Sequence, residues 1–376
     1  YLPLGKRVLD NIAQIVREEM NAIGGFEVQM TALQPQELFE KTDRWDDKKV
    51  DNWFKTSLKN GTELGLGLTH EEPIVDALKD FIGSYKDLPV YVYQIQSKFR
   101  NELRAKSGLL RGREFLMKDM YSFARSQQEH DELYEKAAAA YSKVYERMGL
   151  GDITYRTYAD GGIFTERFSD EYQTISPIGE DTIYVDEAKK IAVNQEVLTD
   201  ENLAKMGLDR ANLVEKRGVE VGNIFPLESK YTDALDVFYT DDHGQRQKII
   251  MGCYGIGISR LMGMIAEHFA DDKGLVWPEA VAPAKVYLAR LGEDAEIIQK
   301  ADELESALTA AGIAVLYDDR DERPGKKFAD AELLGIPYRV VVSSKTTSSE
   351  GYELKGRTSE TVEQISLDDL VQKLSA

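Results

Sequence analysis

The stretch 98–123, KFRNELRAKSGLLRGREFLMKDMYSF, constrains the fold of this chain more than any other segment. It predicts two strands joined by a charged loop. The first strand carries Phe99-Arg100-Asn101-Glu102, and the second runs from Arg111 to Phe123. The loop between them contains Arg104, Lys106 and Gly108. This pattern predicts a β-hairpin with a polar tip.

The polar side chains of this hairpin predict a nucleotide site. Arg100 and Arg111 are fixed cations, and the planar fork of donors on each suits phosphate or carboxylate oxygens. Glu102 would accept a hydrogen bond from an exocyclic amine, and Phe115 would stack on a flat ring. Taken alone, these residues leave open an ordinary charged hairpin on another kind of enzyme.

The order Phe-Arg-x-Glu, loop, Arg-x-x-x-Phe resembles motif 2 of the class II aminoacyl-tRNA synthetases. The fuller string resembles the bacterial type of prolyl-tRNA synthetases. The resemblance implies that Arg100 stabilises the α-phosphate of ATP and also reaches proline. It further implies that Phe115 stacks on adenine, that Glu102 binds the adenine amine, and that Arg111 belongs to the ATP site.

A second strong pattern, IIMGCYGIGISRLM at 249–262, predicts a strand and a helix that approach a ligand closely. Glycines at 252, 255 and 257 leave the backbone uncovered, and Arg260 lies where the helix begins. A P-loop is excluded because no Gly-Lys-Ser/Thr occurs, and a Rossmann fingerprint because no ribose-binding acid follows at the right distance. The string resembles motif 3, whose arginine holds the γ-phosphate. Cys253 is expected to be a small buried thiol.

Residues that would bind an amino group follow a third strand. The segment 63–72, ELGLGLTHEE, has alternating leucines and predicts a strand with one buried face, followed by Thr69 and Glu71. The resemblance implies that these two side chains contact the imino group of proline. A helix N-cap is the alternative, with Thr69 as the capping residue.

Alternate residues of the second hairpin strand share one face of the sheet. They are Met117, Asp119 and Tyr121. The resemblance implies that they line the proline pocket, with an apolar wall for the ring and an acid for the ammonium. The residues alone predict that Asp119, in a largely apolar strand, needs a partner, and a ligand ammonium is one candidate.

The N-terminal part predicts a helix over 5–23 from its apolar spacing. A strand is expected over 26–33. This order resembles motif 1, which builds the dimer interface of class II synthetases, and it implies a homodimer. The chain starts at Tyr1 without a methionine, and the resemblance implies that its opening residues lie inside a longer N-terminal stretch.

Four further segments each carry one expectation. In 36–62, Trp45 and Trp53 are expected to anchor a pair of surface helices rather than to touch RNA. A helix is expected over 127–149 and short strands over 152–184. Residues 185–216 are too few for the large editing domain that many bacterial prolyl enzymes carry, so a short excursion is expected there.

Four acidic residues need separate comment. Glu220 lies on a strand before the glycine pattern, and the resemblance implies that it holds the Mg²⁺ bound to ATP, since Mg²⁺ takes one or two carboxylates plus phosphate oxygens. Glu228 occupies a turn position that usually has glycine, and its side chain is expected to tighten that turn. Asp170 and Glu171 lie where the family shows Ser-His-Glu-Phe, so we assign no role to either.

After a proline-bounded linker, strands are expected at 285–289, 312–317 and 338–343, with helices near 294–311 and 327–334. This βαβαβ order implies a small sheet with a parallel core. It resembles the anticodon-binding domain that prolyl, threonyl, histidyl and glycyl synthetases share. The charged segment after the second strand suits a single-stranded RNA loop, with a solvated turn as the alternative. The anticodon-binding residues expected there are Asp319, Arg320, Arg323, Lys327 and Phe328.

Composition limits the class of protein. The 376 residues suit two or three domains. No apolar run approaches the roughly 20 residues of a membrane span, no signal peptide opens the chain, and a single cysteine excludes an internal disulfide framework. We therefore expect a cytoplasmic protein with no membrane partner and no zinc. The net charge of −19 at pH 7 limits tRNA binding to local basic patches.

The resemblance covers essentially the whole chain and predicts an α/β protein with an α+β catalytic domain. A class II antiparallel sheet flanked by helices is expected over 1–278, with the excursion at 185–216. A linker at 279–283 and a C-terminal βαβ anticodon-binding domain at 284–376 follow. The implied function is ATP-dependent attachment of L-proline to tRNA(Pro) through prolyl-adenylate, with Arg100 and Arg260 as catalytic residues and Mg²⁺ accompanying ATP.

Two alternatives stay open. A threonyl synthetase shares the C-terminal domain, but by family resemblance it uses a zinc site with a cysteine ligand, whereas Cys253 lies within the glycine pattern. The other alternative is a synthetase-like protein that binds RNA or a partner without catalysis. Intact Arg100, Glu102, Phe115 and Arg260 argue against it. The expected absence of an N-terminal stretch and the departures at Asp170 and Glu228 keep it open.

Overall fold

The computed structural model describes residues 1–103, 105, 107–162, 164–165, 167–349 and 351–375. Arg104 and Lys106 of the predicted hairpin loop lie outside the described residues. The chain divides into two compact units, one of residues 13–263 and the other of residues 1–12 and 264–376. The domain boundaries expected from the sequence stay a prediction.

Eleven helices lie in the described part of the chain. They are α1 (Pro3–Ala22), α2 (Gln36–Glu40), α3 (Glu71–Leu78), α4 (Gln127–Arg147), α5 (Asp200–Met206), α6 (Lys230–Ala234), α7 (Ile258–Phe269), α8 (Ala295–Ala310), α9 (Pro324–Leu334), α10 (Ser344–Thr347) and α11 (Leu367–Ser375).

Nineteen strands lie in the same described residues. They are β1 (Phe26–Glu27), β2 (Leu33–Pro35), β3 (Lys55–Ser57), β4 (Glu63–Leu66), β5 (Val90–Phe99), β6 (Glu114–Ala124), β7 (Thr154–Ala159), β8 (Ser169–Ile175), β9 (Asp181–Asp186), β10 (Ile191–Asn194), β11 (Val214–Glu228), β12 (Phe238–Thr240), β13 (Arg246–Lys248), β14 (Ile250–Gly257), β15 (Val286–Leu291), β16 (Val315–Asp318), β17 (Tyr338–Ser343), β18 (Tyr352–Gly356) and β19 (Glu363–Ile365).

The unit of residues 13–263 is built on a nine-stranded sheet in the order β1-β5-β6-β14-β11-β8-β7-β10-β9. Only the β1–β5 and β7–β10 pairs among the described neighbours are parallel. Helix α4 packs against β6, β14 and β11 and buries residues three or four positions apart, among them Leu133, Ala137, Tyr141 and Val144. The expected class II antiparallel sheet flanked by helices is confirmed.

The predicted hairpin is formed by β5 and β6, which pair from Val90↔Phe123 to Phe99↔Glu114. Both strands are shorter at the loop end than expected. Arg100 to Glu102 lie just beyond β5, and Arg111 lies three positions before β6. The expected single strand over 26–33 is likewise wrong, because β1 and β2 are separate short strands in different sheets.

The expected pair of surface helices over 36–62 is also wrong. Only the five residues of α2 are helical there, and β3 follows. Trp53 is buried in a small core with Phe39, Val50 and Leu68. Its ring meets those of Phe39 and Trp45 edge to face, with centroids 4.5 and 4.9 Å apart. The two tryptophans therefore anchor a loop by aromatic packing and not by helix pairing.

The region around the expected excursion closes a small ring of strands. The fifteen-residue strand β11 pairs with β9 near its start, with β8 in its middle and with β14 toward its end. Because β9 also pairs with β10, and β10 with β7, five strands close upon themselves. Helix α5 contributes Leu203 to a cluster with Val193 and Val197.

The second unit contains a five-stranded sheet in the order β16-β15-β17-β18-β19. Strand β15 is parallel to both β16 and β17, and β18 and β19 are antiparallel additions. Alternate residues of β15 face opposite sides: Val286 and Leu288 pack in a cluster with α8, while Tyr287 and Ala289 pack with α9. This is the expected βαβ domain with a parallel core.

The backbone conformation at Glu228 can be tested by comparing the stability of two variants. Glu228 has a φ of +52°, which costs an L-residue about 1–2 kcal/mol but costs glycine almost nothing. Its carboxylate pairs with Arg167 at 2.5 Å at an exposed position. Both Glu228→Gly and Glu228→Ala remove that ion pair, so their comparison isolates the backbone. We expect the glycine variant to be more stable than the alanine variant by about 0.5–1 kcal/mol in urea unfolding; equal stability, or a more stable alanine variant, would contradict the assigned backbone conformation.

Candidate active site

Strands β5 and β14, which pair with β6 on either side, set the geometry of the site. In the pairing of β6 with β14, Met117 lies opposite Gly257, Asp119 opposite Gly255 and Tyr121 opposite Cys253. The alternation predicted from the sequence thus puts three side chains on one face. The two glycines opposite them add no side chain to that face, so the floor of the site stays open.

A cavity lies at the loop end of these strands. We call it the nucleotide cavity. It is lined by Arg100, Glu102, Leu109, Leu110, Arg111, Gly112, Phe115, Met117, Glu220, Val221, Gly222, Asn223, Gly255, Gly257 and Arg260. Every residue that the sequence assigned to ATP is among them, although they come from four separate segments of the chain. The structure therefore brings the expected nucleotide residues together.

Arginines define the electrostatics of the nucleotide cavity. The Arg100 guanidinium lies over the Phe115 ring, 5.3 Å from its centroid. Burial and the nearby Arg260 lower the Arg100 pKa, and Glu220 opposes them. Arg260 donates from Nε to the Leu110 carbonyl at 2.9 Å and from Nη1 to the Glu220 carbonyl. Arg260 thus ties the hairpin loop to β11 while lining the cavity.

Glu102 and Arg111 contact each other at the rim. Arg111 Nε donates to Glu102 Oε2 at 3.1 Å, and its Nη1 donates to Glu180 at 2.5 Å. Arg111 is exposed, and these two hydrogen bonds raise its pKa against the effect of partial burial. Glu180 is a rim residue that sequence reasoning missed, because it lies 69 positions from its partner.

Glu220 reaches the cavity from a β-bulge. The β11–β8 register shifts between Glu220 and Gly222, and bulges of this kind re-aim a side chain. Asn223 Nδ2 donates to Glu220 Oε1 at 2.8 Å. Burial and Glu220 raise the pKa of the neighbouring Glu171 to about 8. A carboxylate in a nucleotide cavity suits a divalent cation that also takes phosphate oxygens, and among the described residues no group of three or more His, Cys, Asp or Glu could hold a metal ion by itself.

Four of the six residues expected to bind proline lie together with Cys253 in a second group, which we call the amino-acid cluster: Thr69, Glu71, Asp119, Tyr121 and Cys253. The other two, Arg100 and Met117, line the nucleotide cavity. Thr69 Oγ1 lies 2.7 Å from both oxygens of Glu71, and Cys253 Sγ donates to Glu71 at 3.3 Å. Tyr121 donates to Asp119 at 2.8 Å and accepts from the His70 amide at 3.0 Å. Met117 continues into the nucleotide cavity two residues before Asp119, about 7 Å along the strand.

The alternative of a helix N-cap at Thr69 is wrong. The residue that precedes α3 is His70, and no side-chain cap is formed there. The Thr69 hydroxyl donates to the Glu71 carboxylate instead. Cys253 is buried as expected, and burial together with Glu71 raises the pKa of its thiol, which stays protonated.

Asp119 does not depend on a ligand for a partner, contrary to what its apolar strand suggested. Lys98 Nζ lies 2.8 Å from Asp119 Oδ1, and Gln94 donates to Oδ2 at 3.0 Å. Burial opposes ionisation of Asp119, but Lys98 outweighs it and lowers the pKa. His70 accepts from Lys98 at its Nδ1, 2.7 Å away, and its other ring nitrogen lies 3.1 Å from the Thr31 carbonyl. Burial and Lys98 lower the His70 pKa to about 4.

Sequence reasoning missed Arg44, Lys98 and His70. Arg44 lies in a charged segment that resembles any solvated surface, yet only 5% of it is exposed. Its Nη1 lies 3.0 Å from Glu71 Oε2 and 3.1 Å from Glu72 Oε2. No short-range pattern could have revealed this contact, since Arg44 and Glu71 are 27 residues apart. Lys98 carried a weak signal, because it lies directly before the Phe-Arg-x-Glu pattern.

Asp170 has a structural role. Its carboxylate accepts from Tyr134 of α4 at 2.7 Å and from Arg156 at 2.8 Å. Arg156 also pairs with Glu135. Asp170 therefore joins β8 to the helix that covers this face of the sheet, while Glu171, the next residue on the strand, lies beside Glu220. The departure from the family pattern at Asp170 is accommodated by packing against α4.

Among the residues expected to bind the anticodon, three lie on the surface of the second unit. Asp319, Arg320 and Arg323 are exposed. Arg320 pairs with Asp318 and Asp330, both at 2.8 Å. Phe328 is half-buried under the Arg339 guanidinium, which lies 3.9 Å from its ring centroid. Arg339 is a residue that the charge pattern did not single out.

The expectation of a surface cation at Lys327 is wrong. Lys327 is only 1% exposed, and its ammonium donates to the carbonyls of Arg290 at 2.7 Å and Asp318 at 3.1 Å. Burial lowers its pKa. The lysine falls on the inner side of the first turn of α9, so it closes the turn between β16 and α9.

The family comparisons agree with this geometry. The model of the tRNA synthetase class II core domain (G, H, P, S and T) matches residues 54–269, and the model of the anticodon binding domain matches residues 285–376. With the antiparallel sheet and the arginine-lined cavity, these matches make the chain a class II aminoacyl-tRNA synthetase.

Similarity to curated relatives shows to which family within this class the chain belongs. The chain is 38% identical to the proline--tRNA ligase of Anaplasma phagocytophilum (strain HZ) over 392 positions, which cover 100% of this chain and 90% of the relative. It is 37% identical to that of Rickettsia canadensis (strain McKiel), covering 98% and 87%. The chain belongs to the proline--tRNA ligase family.

A solved structure has the same fold. The Giardia lamblia prolyl-tRNA synthetase in complex with prolyl-adenylate aligns with a TM-score of 0.79 at 18% identity, covering 99% of this chain and 71% of that one. Within the described residues, no helix combines the length and apolar character needed to cross a membrane.

The burial of Lys327 predicts that its replacement lowers the stability of the protein. Lys327→Met keeps the packed stem but leaves two buried carbonyls without their donor, so we expect a loss of about 1–3 kcal/mol in thermal unfolding. The neighbouring Lys326, whose side chain is 53% exposed, is the matched control: Lys326→Met should change stability by less than about 0.5 kcal/mol. Unchanged stability of Lys327→Met together with weaker tRNA binding would restore the surface-cation interpretation.

Proposed function

We propose that this chain attaches proline to tRNA(Pro) in two steps. The proline carboxylate attacks the α-phosphorus of ATP, which gives prolyl-adenylate and releases pyrophosphate. A ribose hydroxyl at the tRNA 3′ end then attacks the carbonyl of the adenylate, which gives prolyl-tRNA and releases AMP. The observation that carries this proposal is the nucleotide cavity, which joins the three arginines and Phe115 to the amino-acid cluster along one face of β6.

The reaction requires positive charge at fixed positions and needs no nucleophilic side chain of the protein. The attacking carboxylate is already ionised, and the barrier falls when cations neutralise charge that develops on the phosphates. Arg100, just beyond β5 and over the Phe115 ring, is suited to the α-phosphate and the proline carboxylate. Arg260, held by Leu110 and β11, is suited to the γ-phosphate.

The adenine would lie on Phe115. That ring has the Arg100 guanidinium beside it, and an aromatic ring with an arginine provides a stacking surface for a base. Glu102, held by Arg111 at the rim, is suited to accept from the exocyclic amine. Arg111 supplies a further cation to the ATP site.

Mg²⁺ would enter with ATP. Glu220 is the residue that would hold it, since its carboxylate lines the cavity and is oriented by Asn223. Mg²⁺ commonly takes one or two carboxylates together with phosphate oxygens. The ion would add positive charge where the pyrophosphate leaves.

Proline would be held by the amino-acid cluster. Its ammonium is suited to the Glu71 carboxylate and the Thr69 hydroxyl, with Asp119 adding a nearby negative charge. Met117 and the ring of Tyr121 would supply the apolar wall. The family membership supports this assignment at the level of the substrate, and the roles of individual residues are our proposal.

The second unit would bind the anticodon loop. Asp319, Arg320, Arg323 and Phe328 lie where β16 gives way to α9, and cations beside an aromatic ring suit single-stranded RNA. Lys327 would act here only indirectly, by holding the turn. We further propose that the enzyme works as a homodimer in the cytoplasm. No observation favours a non-catalytic protein over this function.

Removal of Arg100 tests the proposal. We expect Arg100→Ala to slow proline-dependent charging of a tRNA(Pro) transcript, and the underlying adenylate formation, by roughly 10²-fold or more, the scale of one lost charge-stabilising contact. The measurement is single-turnover formation of labelled prolyl-adenylate at saturating ATP.

Arg210→Ala is the matched control for this experiment. Arg210 is an exposed arginine that pairs with Asp200 near α5, and its loss should leave the rate within about twofold, because exposed ion pairs contribute little. Near-normal rates in Arg100→Ala would defeat the assignment of Arg100.

A further inference from the structure

Arg44 is a buried cation next to the amino-acid cluster to which no role has been given. It lies between α2 and β3, and its Nη1 contacts Glu71 Oε2 at 3.0 Å and Glu72 Oε2 at 3.1 Å. The Phe164 and Tyr231 rings flank the guanidinium, with centroids 5.2 and 5.6 Å away. The side chain is therefore fixed from several sides.

The contacts of Arg44 hold Glu71 in one orientation. Glu71 Oε2 accepts from Arg44, Oε1 accepts from Cys253, and the Thr69 hydroxyl lies 2.7 Å from both oxygens. Thr42 and Arg44 likewise hold Glu72. Without Arg44, two adjacent buried carboxylates would face each other with no cation in contact.

The charges of this group do not cancel. Arg44 brings one positive charge against the two carboxylates of Glu71 and Glu72, so the trio carries one net negative charge when all are ionised. Nearby Lys98 and Asp119 form a separate pair whose charges balance. In that state a single substrate ammonium would neutralise the excess, and its charge would favour the ionised form of Glu72.

The pKa values follow from the same contacts. Burial opposes ionisation of Glu71, but Arg44 and the Thr69 hydroxyl outweigh it and lower the Glu71 pKa. Burial and Glu71 raise the pKa of Glu72 despite Arg44. Burial alone would lower the Arg44 pKa, and Glu72 and Glu71 reverse this and raise it.

The other titratable groups that act on Glu71 are the basic Lys98 and Arg100 and four groups that are neutral near pH 7: His70, Tyr121, Tyr231 and Cys253. Burial lowers the pKa of Lys118, next to Asp119, to about 7, and raises that of Glu171 at the nucleotide cavity to about 8. The part of the pH dependence of amino-acid binding that lies well below pH 7 therefore reports on Glu71 and Glu72.

We propose that Arg44 is a positioning residue for amino-acid recognition: it orients Glu71 toward the substrate ammonium and keeps it ionised beside Glu72. This inference rests on the proposed function, because it takes Glu71 as the group that binds the amino group. It assigns a specificity-determining task to a residue outside every motif in the sequence.

The test compares Arg44→Gln with wild type in proline-dependent ATP–pyrophosphate exchange. Loss of a charge-assisted contact should raise the KM for proline about tenfold or more while the KM for ATP stays within about twofold. As Glu71 loses its cation, its pKa rises, so the rise in proline KM on acidification should begin at higher pH than in wild type. Arg44→Lys restores the charge and should recover most of the proline affinity.

Arg156→Gln is the matched control. Arg156 is another partly buried arginine that pairs with two carboxylates, Asp170 and Glu135, but it lies on the α4 face of the sheet. Its loss should lower thermal stability without a selective change in proline KM. Equal effects of Arg44→Gln on the KM of proline and ATP, or an effect on stability alone, would overturn the proposal.

Two outcomes separate this inference from the proposed function. If wild type shows no proline-dependent exchange, the proposed function fails; if wild type is active and Glu71→Gln loses proline affinity but Arg44→Gln does not, only the inference fails. If Arg44→Gln does not fold, Glu72→Gln provides the test. With one carboxylate fewer, Arg44 should lower the Glu71 pKa further. The rise in the KM for proline on acidification should then begin at lower pH than in wild type. No shift would overturn the proposal.

Discussion

The register between β6 and β14 is the constraint on which both halves of the site depend. It puts Asp119 opposite Gly255 and Met117 opposite Gly257, so one strand face serves the nucleotide cavity and the amino-acid cluster together. A Cβ on Gly255 would lie 2.7 Å from the Asn223 amide oxygen, and Asn223 orients Glu220. A slip of one residue would turn Asp119 and Tyr121 to the α4 face.

Buried charge is the second organising principle of this unit. Lys98 balances Asp119, and Arg156 pairs with the buried Asp170 on the other face. Burial of each carboxylate carries a desolvation cost that only close contact offsets. At Arg44, one guanidinium faces the two carboxylates of Glu71 and Glu72, next to the cluster proposed for the substrate ammonium. In the nucleotide cavity the arginines are suited to anionic phosphates.

Short-range patterns predicted the hairpin, the helix after it and the βαβ unit, because each depends on periodicity and turn residues within a few positions. The nucleotide residues were predicted as a set by the resemblance to known motifs, in each of which the residues stand close together in the sequence. The burial of Arg44, the pairing of Lys98 with Asp119 and the burial of Lys327 could not be predicted in this way. The residues that these three side chains contact lie 9–28 positions away along the chain, or farther. A charged residue that tertiary packing buries has the same local sequence pattern as a solvated one.

The most direct test of the account is ATP–pyrophosphate exchange, measured without tRNA and with each of the twenty amino acids in turn. The account predicts exchange with proline, weak exchange with small analogues such as alanine or cysteine, and none with threonine. Exchange with threonine in place of proline would contradict the assignment of the amino-acid cluster. ATP binding without exchange for any amino acid would contradict the catalytic function itself.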